Sequence, residues 1–87
     1  MITQNIKNWN PKELVKTGKN SVMVDSYKIE LYHYYYPSGT KCVSVIINER
    51  TITIELIEII NKKLKKLKMK LKVLYNYENY SELFYTN

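Results

Sequence analysis

Two alternating segments around a short turn constrain the fold of this chain more than any other feature. Residues 27–36 and residues 41–48 each alternate between apolar and more polar positions, and Pro37 and Gly39 lie between them. Period-two alternation is typical of a half-buried strand. A proline followed two positions later by a glycine favours a three-residue hairpin loop. The sequence therefore predicts an antiparallel β-hairpin.

Burial of one face selects the register of this hairpin. A three-residue loop places Tyr36 opposite Thr40, so that Leu31 lies opposite Val45 on an apolar face. A two-residue loop would place Leu31 opposite Ile46 and would turn the apolar positions of the second strand to the other side. Because a slip of one residue exchanges the two faces of a strand, we expect the three-residue loop.

A helix and a further strand are predicted after the hairpin. Apolar residues step by three and four along residues 53–66, which is the spacing of an amphipathic helix. Residues 69–76 alternate instead, which predicts a strand. The residues expected on one side of that strand are Met69, Leu71, Val73 and Tyr75. Because neither glycine nor proline separates the two segments, a single helix that continues to residue 72 is an open alternative.

A short helix is predicted before the hairpin, at about residues 11–17. Asn10 is a typical N-cap, and Gly18 suits the left-handed position that closes many helices. We expect Leu14 and Val15 to pack this helix on the sheet.

Two further segments have weaker signals. Residues 21–36 are strand-like throughout, with a turn or bulge at Asp25 and Ser26. Residues 80–84 are predicted to form a last helical turn.

These elements predict an α+β fold in a single domain that spans residues 1–87. The expected sheet is an antiparallel hairpin or meander, packed by one longer helix and preceded by a short one. Its parts are strands at about 21–36, 41–48 and 69–76, the longer helix at about 53–66 and the short helix at about 11–17. A chain of this length buries only about 60–65% of its unfolded surface. The core is therefore expected to be thin, and binding through a surface is more natural than catalysis in a deep cleft.

A dense run of lysines supplies all of the positive excess of the chain. The net charge is +6, and seven of the eleven residues from 62 to 72 are lysines. Six of them are predicted to face solvent and to form a binding surface: Lys62, Lys65 and Lys66 on the helix, and Lys68, Lys70 and Lys72 on the outer face of the strand. Such a surface can follow a phosphate backbone. The alternative is a solvated helix face with lysines that protect an edge strand from aggregation.

Tyrosines are predicted to form a second surface. The register of the hairpin places Tyr32, Tyr34 and Tyr36 in a column on the outer face, with Cys42 and Ser44 opposite them. Exposed tyrosines on a rigid sheet can stack on nucleic-acid bases or anchor a protein interface. The alternatives are an ordinary strand preference of tyrosine and coverage of this face by the N-terminal segment.

The sequence offers no catalytic or metal-binding constellation. His33 is expected on the apolar face, and the predicted register puts Cys42 on the opposite face, so the two do not suit a nucleophile and its base. The carboxylates show no metal-ligand spacing, and the chain has only two glycines, which excludes a glycine-rich phosphate loop. We therefore expect no enzyme, no catalytic residue, no metal and no cofactor.

Composition bears on location and origin. The single cysteine excludes an internal disulfide, the N-terminus lacks the pattern of a signal peptide, and no apolar stretch is long enough for a membrane span. We expect a cytoplasmic protein with no membrane partner.

The chain is rich in Lys, Asn, Ile and Tyr and contains no Ala. This bias is typical of an AT-rich genome and suggests a phage or another mobile element, in which case the location is the cytoplasm of the host cell.

Three functional hypotheses follow. The first is a small non-enzymatic protein that inhibits a host nucleic-acid-handling or defence complex through its basic, tyrosine-rich surface, as anti-CRISPR-type or anti-restriction proteins do. The second is direct, sequence-nonspecific binding of DNA or RNA. The third is a small basic ribonuclease toxin. The expected partners are a host protein, a protein–nucleic acid complex, or DNA or RNA itself.

Overall fold

The computed structural model describes residues 3–25, 27–49 and 51–87. Within these residues the chain forms six strands and two helices. They are β1 (Thr3–Asn5), α1 (Pro11–Thr17), β2 (Lys19–Val24), β3 (Tyr27–Tyr35), β4 (Lys41–Ile47), α2 (Ile54–Lys65), β5 (Lys70–Asn76) and β6 (Ser81–Thr86). The strands make one sheet in the order β1-β2-β3-β4-β6-β5. The pair β1–β2 is parallel and the other four pairs are antiparallel. The predicted α+β class is confirmed.

The β3–β4 hairpin has the predicted register. Leu31 lies opposite Val45, and Tyr34 lies opposite Cys42. The backbone N–H of Tyr36 donates to the carbonyl oxygen of Thr40 at 3.0 Å. Gly39 adopts a φ of 92°, a left-handed conformation that glycine accepts without a steric penalty. The three-residue loop therefore sets which side chains share a face, as burial required.

Both predicted caps of α1 are confirmed. The side chain of Asn10 accepts a hydrogen bond from the N–H of Lys12 at 3.1 Å. Gly18, at a φ of 81°, donates its N–H to the carbonyl oxygen of Leu14. Leu14 is fully buried, but Val15 is exposed, so the expectation that both residues pack on the sheet was wrong for Val15.

The predicted long helix is confirmed, and the alternative of one helix to residue 72 is excluded. The side chain of Thr53 caps α2 by accepting from the N–H of Leu56 at 3.1 Å. The helix ends at Lys65, and Lys68 has a φ of 60°, which no α-helix contains. The chain reaches β5 two residues later.

Both helices pack on the same side of the sheet, which we call the covered face. The core lies between them and the strands. Its buried members are Ile6, Trp9, Leu14, Val22, Ile29, Leu31, Val43, Val45, Ile47, Leu56, Ile60, Leu64, Met69, Leu83 and Tyr85. The hydroxyl of Tyr85 donates to Asn61 Oδ1 at 2.5 Å and so ties β6 to α2. Burial raises the pKa of Tyr85 above the range of an exposed tyrosine.

The strand predicted at residues 21–36 is two strands. The chain reverses at Asp25, which has a φ of 53°, and β2 then pairs antiparallel with β3. Ser26, the second residue of the predicted turn, lies outside the described residues. Aspartate is among the few residues that adopt positive φ at small cost, because its short side chain can hydrogen-bond locally.

The last helical turn predicted at residues 80–84 was wrong. Residues 81–86 are β6, which lies inside the sheet between β4 and β5. Ser81, Leu83 and Tyr85 face the core, and β6 is therefore among the most buried strands of the fold. Pairing with β4, more than thirty residues earlier in the chain, overrides the weak local preference for a helix.

A bulge in β5 overturns the predicted alternation of that strand. The pairing with β6 shifts between Leu71 and Val73. Leu71 lies opposite Tyr85 on the covered face, whereas Val73 lies opposite Phe84 on the other side. A bulge adds one residue to one strand and exchanges the faces beyond it.

Neither helix in the described part of the chain is long and apolar enough to cross a lipid bilayer.

Candidate binding face on the uncovered side of the sheet

The side of the sheet away from the helices, which we call the open face, carries most of the aromatic residues of the chain. Opposite residues on neighbouring strands share a face, so the registers assign its members. Its aromatic residues are Tyr32, Tyr34, Tyr36, Tyr75 and Phe84 on the strands and their ends, joined by Tyr77 and Tyr80 at the β5–β6 turn. The six tyrosines are each 36–46% exposed. No described residue from either helix covers them.

One group of rings lies at the hairpin end of this face. The ring centroids of Tyr34 and Tyr36 are 6.1 Å apart, and each is 6.4 Å from that of Phe84. Beneath them Cys42 is fully buried although no helix covers it. The hydroxyls of Tyr34 and Ser44 are 3.2 Å apart, within hydrogen-bonding distance. The rings therefore form a supported platform whose outer surface remains accessible.

A second group of rings lies at the β5–β6 turn. The centroids of Tyr75 and Tyr77 are 6.0 Å apart, and the rings of Tyr77 and Tyr80 stack at 4.5 Å. The N–H of Tyr77 donates to the carbonyl oxygen of Tyr80 at 2.8 Å, which closes the turn and holds the stacked pair. Partial burial, together with the charge of Glu82, raises the pKa of Tyr77. Its phenol is therefore neutral at physiological pH.

Tyr32 connects the open face to two charged residues. Its hydroxyl donates to Glu30 Oε2 at 2.6 Å, and this hydrogen bond is the main reason why the pKa of Tyr32 is raised. Glu30 Oε1 lies 3.7 Å from Lys28 Nζ. All three side chains lie on the same face of β3. The open face thus combines aromatic rings with charges of both signs.

The seven lysines of the run do not form one surface. Lys62 and Lys65 are exposed on α2 and Lys66 is exposed at its C-cap, in the layer that covers the other side of the sheet. Lys62 lies about 200° around the helix from the buried Ile60. It therefore projects away from the sheet altogether. Lys62 and the tyrosines of the open face therefore lie on opposite sides of the molecule, and Lys65 and Lys66 belong to the helical layer.

The strand lysines lie closer to the tyrosines than the helix lysines do. Tyr34, Cys42, Thr86 and Lys70 follow one another across four neighbouring strands in a single row. Lys70 is therefore on the open face, about 14 Å from Tyr34 along the backbone row, since neighbouring strands are about 4.8 Å apart. Lys68 precedes it in the turn from α2. We call Lys68 and Lys70 the basic corner.

The prediction that Lys68, Lys70 and Lys72 share one strand face was wrong. Lys68 lies in the turn before β5, and Lys72 lies at the bulge, where it has no partner on β6. The register assigns only Lys70 to the open face. The bulge, which the alternation of the sequence did not reveal, is the physical reason.

Lys63, which was not predicted as a binding residue, has a structural role. Its ammonium group donates to the carbonyl oxygens of Lys7 and Trp9, both at 3.0 Å. This side chain joins α2 to the segment that brings Trp9 into the core. One lysine of the run therefore stabilises the fold and does not belong to a solvent-exposed surface.

His33 and Cys42 occupy opposite faces, as the register predicted. His33 is on the covered face near its rim, where its ring meets the edge of Tyr35 at a centroid distance of 5.0 Å. Partial burial, with a smaller effect of Lys41, lowers the pKa of His33.

In the part of the chain that the structure describes, no three His, Cys, Asp or Glu side chains are grouped to hold a metal ion.

Sequence reasoning predicted three of the aromatic residues of this face and missed the other four. Tyr32, Tyr34 and Tyr36 followed from the hairpin register. Tyr75 was assigned to the other side because the bulge was not foreseen, and Phe84 was placed in a helical turn. The sequence predicted a strand that ends at residue 76 and a helical turn at residues 80–84. These predictions did not place Tyr77 and Tyr80 on this face.

Comparison of the chain with protein-family models, with curated proteins and with solved structures finds no match.

Proposed function

We propose that this protein binds single-stranded nucleic acid directly, without strong sequence preference, through the open face and the basic corner. The single observation that carries the proposal is the row of residues that connects Tyr34 to Lys70 across the sheet. It joins a group of accessible aromatic rings to positive charge on one surface. A protein that binds single strands needs both of these features.

The aromatic part of the proposal rests on exposure and support. Each open-face tyrosine keeps more than a third of its surface accessible, while its neighbours limit its movement. A base that stacks on such a ring contributes about 1–3 kcal/mol and loses little affinity when the base is changed, because every base has a π-face. Two groups of rings at the two ends of the face suit a strand that crosses the sheet.

The electrostatic part rests on the basic corner. A lysine near a phosphate releases condensed counterions, so binding weakens as salt rises, with a slope of about −0.7 per phosphate contact for single strands. The chain carries +6 overall, so long-range attraction also favours an anionic partner. The helix lysines, which belong to the helical layer, are proposed to add only to this long-range attraction.

The proposed role is binding without turnover, in the cytoplasm. His33, the residue best suited to acid–base chemistry near neutral pH, lies on the covered face and is not part of the proposed surface. A ribonuclease would need an acid and a base near the bound strand. Incubation of the protein with labelled RNA tests this directly, and cleavage products would reject the binding-only proposal.

The test of the aromatic part uses Tyr75→Ala with Tyr35→Ala as its matched control. Tyr75 is 46% exposed on the open face, whereas Tyr35 is 57% exposed on the covered side of the hairpin. We expect Tyr75→Ala to weaken binding of a labelled single strand about 5- to 150-fold, which corresponds to one lost stacking contact. Tyr35→Ala should leave the affinity within about twofold. Equal losses in both variants, measured by fluorescence anisotropy, would contradict the proposal.

The test of the basic corner compares two double variants of equal charge. Lys68→Gln with Lys70→Gln removes the corner, and Lys12→Gln with Lys16→Gln removes two exposed lysines from α1. Between about 50 and 200 mM salt, the corner variant should lose up to about 1.4 units of log–log slope. The α1 variant should keep the slope of the natural protein. The same change at Lys62 and Lys65 measures whether the helix lysines take part.

A second candidate is that the open face inhibits a host nucleic-acid-handling or defence complex by binding its protein surface, as anti-CRISPR-type proteins do. The observation that favours it is the apolar and aromatic part of the face, where Val73 is 37% exposed beside Phe84 and Tyr75. Interface centres are enriched in tyrosine and depleted of charge. A complex captured from host extract that survives nuclease treatment, together with weak binding of free single strands, would favour this candidate.

A further inference from the structure

A depression at one end of the open face has the lining of a small-molecule site. It is open to solvent and has a volume of about 320 Å³, at the lower end of the range for ligand pockets. Its lining residues are Lys28, Glu30, Ile46, Asn48, Asn79 and Tyr80. Ile46 and Tyr80 supply apolar surface, and the other four supply polar groups. A site that combines apolar surface with converging polar groups is suited to a planar heterocycle.

Three elements of backbone structure support this depression. Lys28 and Glu30 lie on β3, and the N–H of Asn48 donates to the carbonyl oxygen of Lys28 at 3.2 Å, which holds the end of β4 beside β3. The β5–β6 turn carries Tyr80, whose ring stacks at 4.5 Å on that of Tyr77. The walls are therefore supported by strands and by a closed turn, which favours recognition over loose contact.

The charged pair in the depression keeps free hydrogen-bonding capacity. Lys28 Nζ and Glu30 Oε1 are 3.7 Å apart, which is too long for a good hydrogen bond. Their side chains are 43% and 38% exposed. An ammonium group has three donors and a carboxylate about four acceptor sites. Even with the hydroxyl of Tyr32 bonded to Glu30, a ligand that offers both a carbonyl oxygen and N–H groups can bond to both residues.

From this arrangement we propose that the depression binds one base of the strand and prefers guanine. This inference rests on the proposed binding of single strands. Guanine offers two adjacent N–H donors, N1–H and the N2 amino group, to a carboxylate, and its O6 to an ammonium group. Cytosine and adenine offer a carboxylate only one amino group, and uracil or thymine only one ring N–H. Glu30 therefore discriminates guanine from the other bases, Lys28 donates to O6, and the ring of Tyr80 contacts the face of the base.

The experiment measures binding of short all-thymidine strands that differ in one central base. The protein should bind the strand with central guanine at least about fivefold more tightly than strands with cytosine, adenine or thymine, since a good bidentate contact discriminates by that much or more. In Glu30→Gln this preference should disappear, because an amide cannot accept two N–H groups through two oxygens. Glu82→Gln is the matched control. Glu82 lies in the same row of the open face two strands away, and its substitution changes the charge by the same amount.

The outcomes separate this inference from the proposed function. Binding of all four strands with equal affinity would overturn the guanine pocket and leave single-strand binding intact. Failure to bind any strand at low salt would reject both. A guanine preference that Glu30→Gln and Glu82→Gln reduce equally would also overturn the pocket.

A measurement on the natural protein covers the case in which Glu30→Gln does not fold. Guanosine monophosphate, but not cytidine monophosphate, should shift the side-chain amide resonances of Asn48 and Asn79 in NMR spectra. Shifts of equal size with both nucleotides would overturn the inference.

Discussion

Both faces of the sheet carry large apolar or aromatic side chains, but the two faces differ in how far these side chains are buried. On the covered face, residues such as Leu31 and Leu83 are fully buried under the helices. On the open face, tyrosines such as Tyr36 and Tyr75 keep close to half of their surface in contact with solvent. The two faces alternate residue by residue along the same strands, so composition along the chain does not distinguish them. The two faces differ because the helices cover only one of them.

This difference shows how a chain of 87 residues divides its apolar surface. The two helices bury most of one side of the six-stranded sheet, although Tyr35 on that side is 57% exposed, and antiparallel sheets tolerate a solvated second side. The covered face supplies the free energy of folding. Because its rings are partly exposed, we expect the open face to lose a ring without losing the fold, which leaves its rings available for contact with a partner.

The largest expected effect comes from neighbouring residues of β3 that point to opposite faces. Leu31→Ala should lower the free energy of unfolding by about 2–5 kcal/mol, because it leaves a cavity in a closely packed core. Tyr32→Ala should lower it by about 1 kcal/mol or less, since the tyrosine is 37% exposed and loses one solvent-accessible hydrogen bond. Urea titration of both variants measures the difference. Similar losses would mean that the two faces do not divide stability and binding as described.

A smaller effect is expected from two adjacent lysines in the helical layer. Lys63→Ala should lower the free energy of unfolding by about 1–3 kcal/mol, because the carbonyl oxygens of Lys7 and Trp9 lose their charged donor. Lys62→Ala removes the same charge from an exposed site and should change it by less than about 0.5 kcal/mol. If thermal unfolding shows equal effects, Lys63 does not hold the N-terminal segment against the covered face.

Local signals in the sequence predicted the elements whose partners are near in the chain. The β3–β4 hairpin followed from its turn, since Gly39 and the need to bury one face permit a single register. The boundaries of α1 followed from caps at Asn10 and Gly18, and the extent of α2 followed from apolar spacing, whereas the cap at Thr53 was seen only in the structure. The register then placed Tyr32 and its neighbours on the open face without further information.

The sequence could not predict features that depend on distant partners. β6 is a strand because β4 and β5 pair with it on both sides, and the alternation of Ser81, Leu83 and Tyr85 is masked by the apolar Phe84 between them. The bulge at Lys72 has no local signal, and it moved Tyr75 to the open face. The six lysines predicted to bind together are also separated by a long-range feature. The sheet lies between α2, with its lysines, and Lys70 on the open face.

The smallest expected effect concerns the rim of the covered face, where His33 is partly buried. Partial burial lowers its pKa below 6.5, so the unfolded chain binds more protons than the folded chain in the interval just below that value. The contribution of His33 to stability is therefore complete above about pH 6.5 and decreases as the pH falls toward the lower folded pKa. We expect the free energy of unfolding to decrease slightly between about pH 7.5 and pH 5.5, measured by urea titration before the carboxylates titrate. In His33→Gln, which keeps a polar side chain but does not titrate, the curve should be flat over this interval. A decrease of equal size in His33→Gln would assign the pH dependence to other groups. Burial at the rim of the covered face would then affect His33 no more than it affects an exposed residue of the open face.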